Sequence, residues 1–487
     1  MNILSHQNNL SSRQLFFNAS AMILLLFILL RWFFLIDRYS INMLFWDQWD
    51  FLGALFADKG PWELFSWQHG PHRQGVGFFL TEAVANLSGW NTRVESFMIG
   101  AVVCLAALTA VFLKFRLAGK MTALDVIIPL CYLSPLQFGL VANTPNVSHG
   151  AMPLLLITLF CLCWTIKNIT LRYLLCAIIN FMTIYTGFGV FLGCITPLLF
   201  LSELVIALKY PFRPTGPERQ TTKNGRVART DYPALLCKNK KAGKPLHALF
   251  FFMVSLVSVF SFFVDYTFSP AAKGFVFPHP EPFMYIEYIL ITFAAFCGIR
   301  GSHIVSIIAG VPILCCVIYL AVKAGGDIVH KVSTGTMGDK IALGQIVLVL
   351  VTFTLLFSLN LAVGRVCLGL ETATAPRYTP YMVPAFFALY LFAVTREWVP
   401  VRQIVFCATC FFITTFSVGD HNRAYAERFC QGKLQWKEAY LETENILSAN
   451  RLSGFEIHPN PQATRLQGKL DYLKKNKLNL FLTGLEP

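Results

Sequence analysis

Charged residues are scarce in this sequence, where Asp, Glu, Lys and Arg together make up 14% of 487 residues. Soluble domains carry roughly a quarter of such residues. Hydrophobic residues reach 55%, and phenylalanine alone contributes 45 of them. This composition excludes a disordered chain and argues against a soluble globule, because apolar surface on this scale must face lipid. We therefore predict an all-α polytopic membrane protein.

Motifs for common cofactors and nucleotides are also missing. The 14 cysteines show no spacing typical of zinc or haem sites, and most lie in apolar runs, where a free thiol behaves as a small hydrophobe. The sequence contains neither a P-loop nor a glycine-rich dinucleotide motif after a strand. The net charge of +14 is what basic cytoplasmic loops produce, so we do not expect nucleic acid as a partner.

Long apolar runs predict about 11 membrane spans within residues 1–418. The first, Phe16–Ile36, is interpreted as an uncleaved anchor. We interpret Tyr285–Gly298 as interfacial or re-entrant, because counting it as a span would place the basic loop Lys323–Lys340 outside. Residues 419–487 are predicted to form a small polar C-terminal domain outside the membrane. The other predicted spans are Ser96–Phe115, Leu124–Val141, Ala151–Ile166, Arg172–Tyr185, Phe188–Leu208, Leu246–Val264, Ile304–Val322, Ile341–Val363, Tyr381–Val394 and Val401–Val418.

Basic loops give the orientation of these spans. The loop at residues 209–245 contains only two acidic residues, Glu218 and Asp231. The positive-inside rule makes this loop cytoplasmic. Residues 37–92 and the C-terminal domain then face outward, towards the periplasm if the membrane is a bacterial inner membrane. The ten basic residues of the loop are Lys209, Arg213, Arg219, Lys223, Arg226, Arg229, Lys238, Lys240, Lys241 and Lys244.

The outward segment at residues 37–92 holds the densest polar cluster, together with two helical patterns. A short helix is predicted from Asp47 to Phe56. Within Gly75–Gly89 the apolar residues recur every three or four positions, which predicts a helix lying in the membrane interface. Asp47 and Asp50 are three positions apart and would share a helix face. They could supply a general base or bind a divalent cation, or they could simply cap the helix.

Histidine and arginine residues in two outward segments are candidate phosphate ligands. His69, His72 and Arg73 precede the interfacial helix, whose N-terminus would attract an anion. A second group, Arg365, Arg377 and Tyr378, lies between two late spans, and arginine is the preferred bidentate phosphate ligand. Ordinary contact with lipid head groups is the alternative for both groups. Trp46 and three nearby tryptophans predict either an aromatic belt at the membrane surface or stacking on sugar rings.

Taken in order, these features resemble the GT-C superfamily of membrane glycosyltransferases. Asp47-Gln48-Trp49 occupies the position of the short acidic motif after the first span, with Gln48 where an acid is often found. His69-Gly70-Pro71-His72-Arg73 is similar to the HNEHR-like turn of one bacterial branch, and Arg377-Tyr378 is similar to its late Arg-Tyr pair. The resemblance covers most of residues 16–418.

This resemblance implies transfer of a sugar from a polyprenyl-phosphate-linked donor to a glycan or lipid acceptor of the cell envelope. Asp47 would be the base, with Asp50 as a metal ligand or second base, and His72, Arg73 and Arg377 would bind phosphate. Three alternatives stay open. They are a transporter or flippase of lipid-linked glycans, a polymerase or ligase of such glycans, and an inactive partner-binding protein.

Overall fold

The computed structural model describes residues 12–209, 243–268, 274–300, 302–334, 340–395 and 420–482. Most of the basic loop Lys209–Lys244 and the predicted span Val401–Val418 lie outside these residues. The exact number of spans therefore stays a prediction.

Helices make up most of the described chain, and its strands are two short segments of two residues each. The prediction of an all-α protein is confirmed. The strands are β1 (Gln68–His69) and β2 (His72–Arg73). The helices are α1 (Ser12–Tyr39), α2 (Gln48–Phe51), α3 (Gly53–Phe56), α4 (Pro61–Ser66), α5 (Gly75–Ser88), α6 (Thr92–Ala118), α7 (Ile127–Tyr132), α8 (Met152–Trp164), α9 (Ile169–Ile184), α10 (Val190–Lys209), α11 (Gly243–Phe262), α12 (Phe283–Phe296), α13 (His303–Thr334), α14 (Lys340–Arg365), α15 (Thr379–Thr395), α16 (Asp420–Thr443), α17 (Ile446–Ser453) and α18 (Leu466–Lys475).

Seven helical segments in the described chain are long and apolar enough to cross a membrane, which confirms a polytopic membrane protein. The outer surface of α6 shows the expected pattern: Leu105, Leu108 and Phe112 share one face and are about half exposed. Its inner face contains small residues, so that α1 and α8 can pack closely. The seven segments are Thr92–Ala118, Val147–Trp164, Val190–Lys209, Pro245–Phe262, His303–Thr334, Ile341–Leu368 and Pro376–Thr395.

The segment Leu124–Val141 is not one continuous helix, and its crossing of the membrane stays a prediction. It consists of a 3-10 turn, the short helix α7, a second 3-10 turn that begins at Pro135, and a π-helical turn over Gly139–Asn143. Proline cannot continue a helical hydrogen-bond ladder, and the Ser134 hydroxyl caps the new turn. Because the six residues of α7 are buried in protein, the break does not expose backbone to lipid.

The helix predicted within Gly75–Gly89 is present as α5, and its position in the membrane interface stays a prediction. Two residues of its apolar stripe, Leu80 and Leu87, are exposed, the latter by 89%, whereas Phe78 and Thr81 on the opposite side are buried. An apolar face turned away from the protein is what a helix in the membrane interface requires.

The C-terminal helices share a hydrophobic core with the segment after the first helix. Trp49 packs in one cluster with Trp436 and Leu470. The Asn479 side chain accepts a hydrogen bond from the backbone N–H of Leu44 and donates one to Trp90. Residues 41–90 and 420–482 therefore lie on the same side of the membrane, and we call residues 420–482 the cap.

Candidate functional site

A cavity of about 670 Å³ lies where the cap meets the ends of the membrane helices. It is lined by residues from the Asp47 segment, the β-hairpin, the π-helical segment before α8, the turn before α15, and α16. Six of the eight predicted site residues line it, namely Asp47, His69, His72, Arg365, Arg377 and Tyr378. The structure thus brings together two groups that are far apart in the sequence.

The β-hairpin places its two histidines at the cavity. Strands β1 and β2 are antiparallel, and His69 pairs with His72. Gly70 closes the turn with φ +57°, a left-handed conformation that suits glycine. Successive side chains of a strand point to opposite sides. His72 consequently faces the cavity while Arg73 faces away from it.

Close packing between α5 and the segment before α8 brings His72 to His149. A Cβ atom on Gly77 would lie within 3.0 Å of the Ser148 backbone nitrogen, so only glycine permits this approach. The ring centroids of His72 and His149 are 4.9 Å apart, and Phe188 packs edge-on against His72 at 4.1 Å. The two imidazoles and the Phe188 ring therefore pack together on one side of the cavity.

Burial keeps His72 neutral. Loss of solvent lowers the pKa of this imidazole well below its usual range, and the nearby His149, His69 and Arg365 lower it further. The pKa of His69 is also lowered, mainly by burial. Nδ1 of His72 has no hydrogen-bond partner among the described residues. His72 can therefore meet a ligand as a neutral hydrogen-bonding group and not as a cation.

Among the described residues that line the cavity, the cationic groups are two arginines. Arg365 is the last residue of α14, and Arg377 lies in the short turn before α15. The Arg377 guanidinium lies 5.3 Å from the ring centroid of Tyr378 and donates to its hydroxyl at 3.4 Å. Within the described parts of the chain, neither arginine forms a salt bridge with an acidic residue. Both guanidinium groups can therefore bind an anion.

Asp47 is the acidic residue among the described residues that line the cavity. It is partly exposed and precedes α2, but its side chain does not cap that helix. No group in the described segments donates a hydrogen bond to its carboxylate, whose charge acts on His69 and Arg377. The neighbouring Gln48 is buried, donates to the Pro145 carbonyl at 3.1 Å and accepts from the Phe45 N–H at 3.0 Å. Gln48 therefore fixes the backbone beside Asp47 and is not directed at a ligand.

Two of the predicted site residues, Asp50 and Arg73, do not line the cavity. Asp50 lies near Lys469 at 3.7 Å and accepts hydrogen bonds from Thr464 and His458 of the cap. Burial alone would raise the pKa of Asp50, but these hydrogen bonds and positive charges lower it overall. The two carboxylates therefore have different surroundings: Asp47 lines the cavity, whereas Asp50 is held by Thr464 and His458.

Arg73 is held on the other side of the hairpin. Its guanidinium donates to the carbonyls of Ser66, Phe262 and Val264 and packs over the rings of Tyr185 and Phe262. Arg73 therefore anchors the hairpin to the end of α11. Arg73 does not line the cavity with Arg377, because β-strand alternation turns Arg73 away.

A divalent cation was predicted only as a possibility, on Asp47 and Asp50. The described residues contain no group of three or more His, Cys, Asp or Glu side chains that could hold a metal ion. Asp50 is also engaged by the cap. The geometry thus gives no support to a shared metal site on these two carboxylates.

Several cavity residues were not predicted from the sequence. Asn143, Asn146 and His149 come from the segment between two apolar runs, and their polarity in that position was a signal that could have revealed them. Tyr425 and Phe429 come from α16. No pattern in the sequence connects that helix to the cavity, because its placement depends on packing within the cap.

Lys433 fixes α16 to the cavity wall. This lysine is buried, and its ammonium group donates to the carbonyls of Ala142 at 2.9 Å and Asn143 at 3.3 Å. Burial lowers its pKa to about 8. The two carbonyls belong to the π-helical turn that lines the cavity, so Lys433 connects the C-terminal helices directly to the site.

Comparisons of the chain with protein-family models, curated proteins and solved structures find no match. A functional interpretation therefore depends on the residues and geometry of the cavity.

Proposed function

We propose that the protein is a membrane glycosyltransferase. It would move a sugar from a polyprenyl-phosphate-linked donor to a lipid-linked glycan or another cell-envelope acceptor. One observation carries the proposal: Arg365 and Arg377, two arginines without an acidic partner in the described chain, share a cavity with the Asp47 carboxylate. Such a transfer needs a cation to stabilise the released phosphate and a carboxylate to accept the proton of the acceptor.

The reaction assigns a role to each group. The two guanidinium groups bind the donor phosphate, as arginine forks do. The bond between the sugar C1 and the phosphate oxygen breaks, and the electron pair leaves with the phosphate, whose added charge the arginines offset. The acceptor hydroxyl oxygen forms the new bond to C1, and its proton passes to Asp47.

The position and size of the cavity support this role. It lies at helix ends, where the phosphate of a membrane lipid resides, and Arg365 and Arg377 come directly from such ends. A volume of about 670 Å³ falls in the range of small-molecule sites, roughly 300–1,000 Å³. It can hold a phosphate and a sugar ring while the polyprenyl chain stays in the membrane.

Binding of undecaprenyl phosphate to the full chain in lipid nanodiscs tests the proposed role of the two arginines in phosphate binding. We expect Arg365→Lys and Arg377→Lys each to weaken binding about tenfold, because one ammonium group does not reproduce the bidentate fork. Arg423→Lys on the exposed surface of α16 is the matched control and should bind like wild type. Wild-type affinity in both cavity variants would place the phosphate elsewhere.

Transfer itself is measured with a panel of undecaprenyl-phosphate hexoses and pentoses and a cell-envelope extract as acceptor. Release of undecaprenyl phosphate that depends on both the protein and the extract supports the proposal. Absence of release with every donor, from protein that binds undecaprenyl phosphate, would contradict it and favour a transporter.

A further inference from the structure

Aromatic side chains from two distant segments form one surface in the cavity. Trp46 belongs to the segment after α1, whereas Tyr425 and Phe429 belong to α16. The rings of Tyr425 and Phe429 lie 4.6 Å apart, and Phe45 connects them to Trp46 with centroid distances of 5.5 Å and 5.7 Å. We call Trp46, Tyr425 and Phe429 the aromatic wall.

Trp46 is held in an uncommon conformation. Its φ is +53°, which a bulky residue rarely adopts, and its N–H donates to the Ile457 carbonyl of the cap at 2.8 Å. The side chain is 37% exposed, whereas the nearby Trp49 is fully buried. Such a conformation persists only where the surroundings impose it, and it often marks a ligand site. Here the cap holds the indole open to the cavity.

Neutral polar groups line the same cavity. Asn143, Thr144 and Asn146 can donate hydrogen bonds to hydroxyl groups and accept them. An acyl chain would need an apolar lining alone, and a phosphate would need cations. Flat aromatic faces combined with neutral amides suit a sugar ring, which has apolar C–H faces and a polar edge.

We propose that the aromatic wall, with Asn143 and Asn146, is the subsite for the donor sugar ring. The wall is next to the proposed chemistry: Trp46 precedes Asp47 in the chain, and Tyr425 lines the same cavity as Arg377. A sugar stacked on Trp46 would hold its phosphate towards the arginines and its C1 near the Asp47 carboxylate. The inference rests on the proposed function and adds the element that recognises the sugar.

The test compares two ligands, undecaprenyl phosphate and the undecaprenyl-phosphate hexose or pentose that wild type binds most tightly. The measured quantity is the ratio of their Kd values in nanodiscs, which isolates the contribution of the sugar. Wild type should bind the sugar-bearing lipid more tightly. Trp46→Ala should reduce this advantage about threefold to tenfold, as expected for one aromatic contact, while Trp46→Phe should retain part of it.

Trp62→Ala is the matched control, because Trp62 is exposed and does not line the cavity. Unchanged binding of undecaprenyl phosphate by Trp46→Ala shows that the variant is folded. Tyr425→Ala provides a second variant if Trp46→Ala does not fold. Equal affinity of wild type for both lipids, or a full sugar advantage in the aromatic-wall variants, would overturn this inference alone. Failure of wild type to bind either lipid would overturn the proposed function as well.

Discussion

The Nε2 atom of His458 lies 3.1 Å from Oδ2 of Asp50, so the C-terminal cap holds the acidic segment that follows the first helix. Lys469 strengthens this connection by donating to the Trp49 carbonyl. The two carboxylates of the segment consequently differ in their surroundings: Asp50 is bound by the cap, and Asp47 opens into the cavity. This difference predicts a structural role for Asp50 and a chemical role for Asp47.

Replacement of Asp47 should abolish most activity without destabilising the protein. We expect Asp47→Asn to reduce sugar transfer per folded molecule by about 10²- to 10⁴-fold, the usual contribution of a general base. Its unfolding midpoint should match wild type, because no group in the described chain hydrogen-bonds to the Asp47 carboxylate. Near wild-type turnover in this variant would mean that the base lies elsewhere.

Replacement of Asp50 should lower stability more than it lowers turnover. Asp50→Asn weakens contacts with Thr464, His458 and Lys469. We expect a loss of about 1–2 kcal/mol in the free energy of unfolding, at the lower end for charged hydrogen bonds because the carboxylate is partly exposed. Turnover per folded molecule should fall less than in Asp47→Asn. A catalytic defect as severe as that of Asp47→Asn, at wild-type stability, would contradict the structural role.

Buried His72 predicts that stability decreases as the pH falls. Its pKa is held well below the usual range in the folded protein, mainly by burial, whereas an unfolded histidine titrates near about 6.5. Below about pH 6.5 the unfolded state therefore binds a proton that the folded state does not, and stability decreases by up to about 1.4 kcal/mol per pH unit. His72→Gln should reduce the slope by that amount between about pH 6.5 and 5.

Denaturant unfolding in detergent at several pH values measures this slope. His330→Gln, at an exposed position of α13, is the control and should keep the wild-type slope. If His72→Gln also keeps it, His72 is not neutral in the folded protein.

Lys433 should stabilise the attachment of α16 to the membrane helices. Lys433→Met fills similar space but leaves the Ala142 and Asn143 carbonyls without their donor. We expect a loss of about 1–3 kcal/mol in the free energy of unfolding. Lys475→Met, at an exposed position of α18, removes the same charge and should have little effect. An equal or greater stability of Lys433→Met would show that desolvation of the ammonium group outweighs its hydrogen bonds.

The packing of the cap gives a topology prediction. Because residues 41–90 and 420–482 share one core, Asp58→Cys and Lys474→Cys should react together with a membrane-impermeant maleimide added to intact spheroplasts. Lys223→Cys in the basic loop should react only after permeabilisation, as the positive-inside rule requires. Wild type, with its own cysteines, is measured as the background. Reaction of Lys223→Cys in intact spheroplasts would reverse the orientation.

The sequence by itself determined the class of protein and the segments that matter. A small share of charged residues and long apolar runs require lipid-facing helices. The spacing of the apolar residues in α5 predicts its apolar side. Both predictions depend only on local composition and spacing. The polar segments around Asp47, His69 and Arg377 were recognisable for the same reason, since they interrupt or follow apolar runs.

Only the tertiary structure decided which polar side chains share a cavity. His72 and Arg73 are neighbours in the sequence, yet strand alternation and three carbonyl acceptors turn Arg73 away. Hydrogen bonds from the cap engage Asp50, whereas Asp47 lines the cavity, and the packing of α16 brings in Tyr425. The direction of a side chain depends on partners that are distant in the sequence, so local pattern could place these residues near a site but not within it.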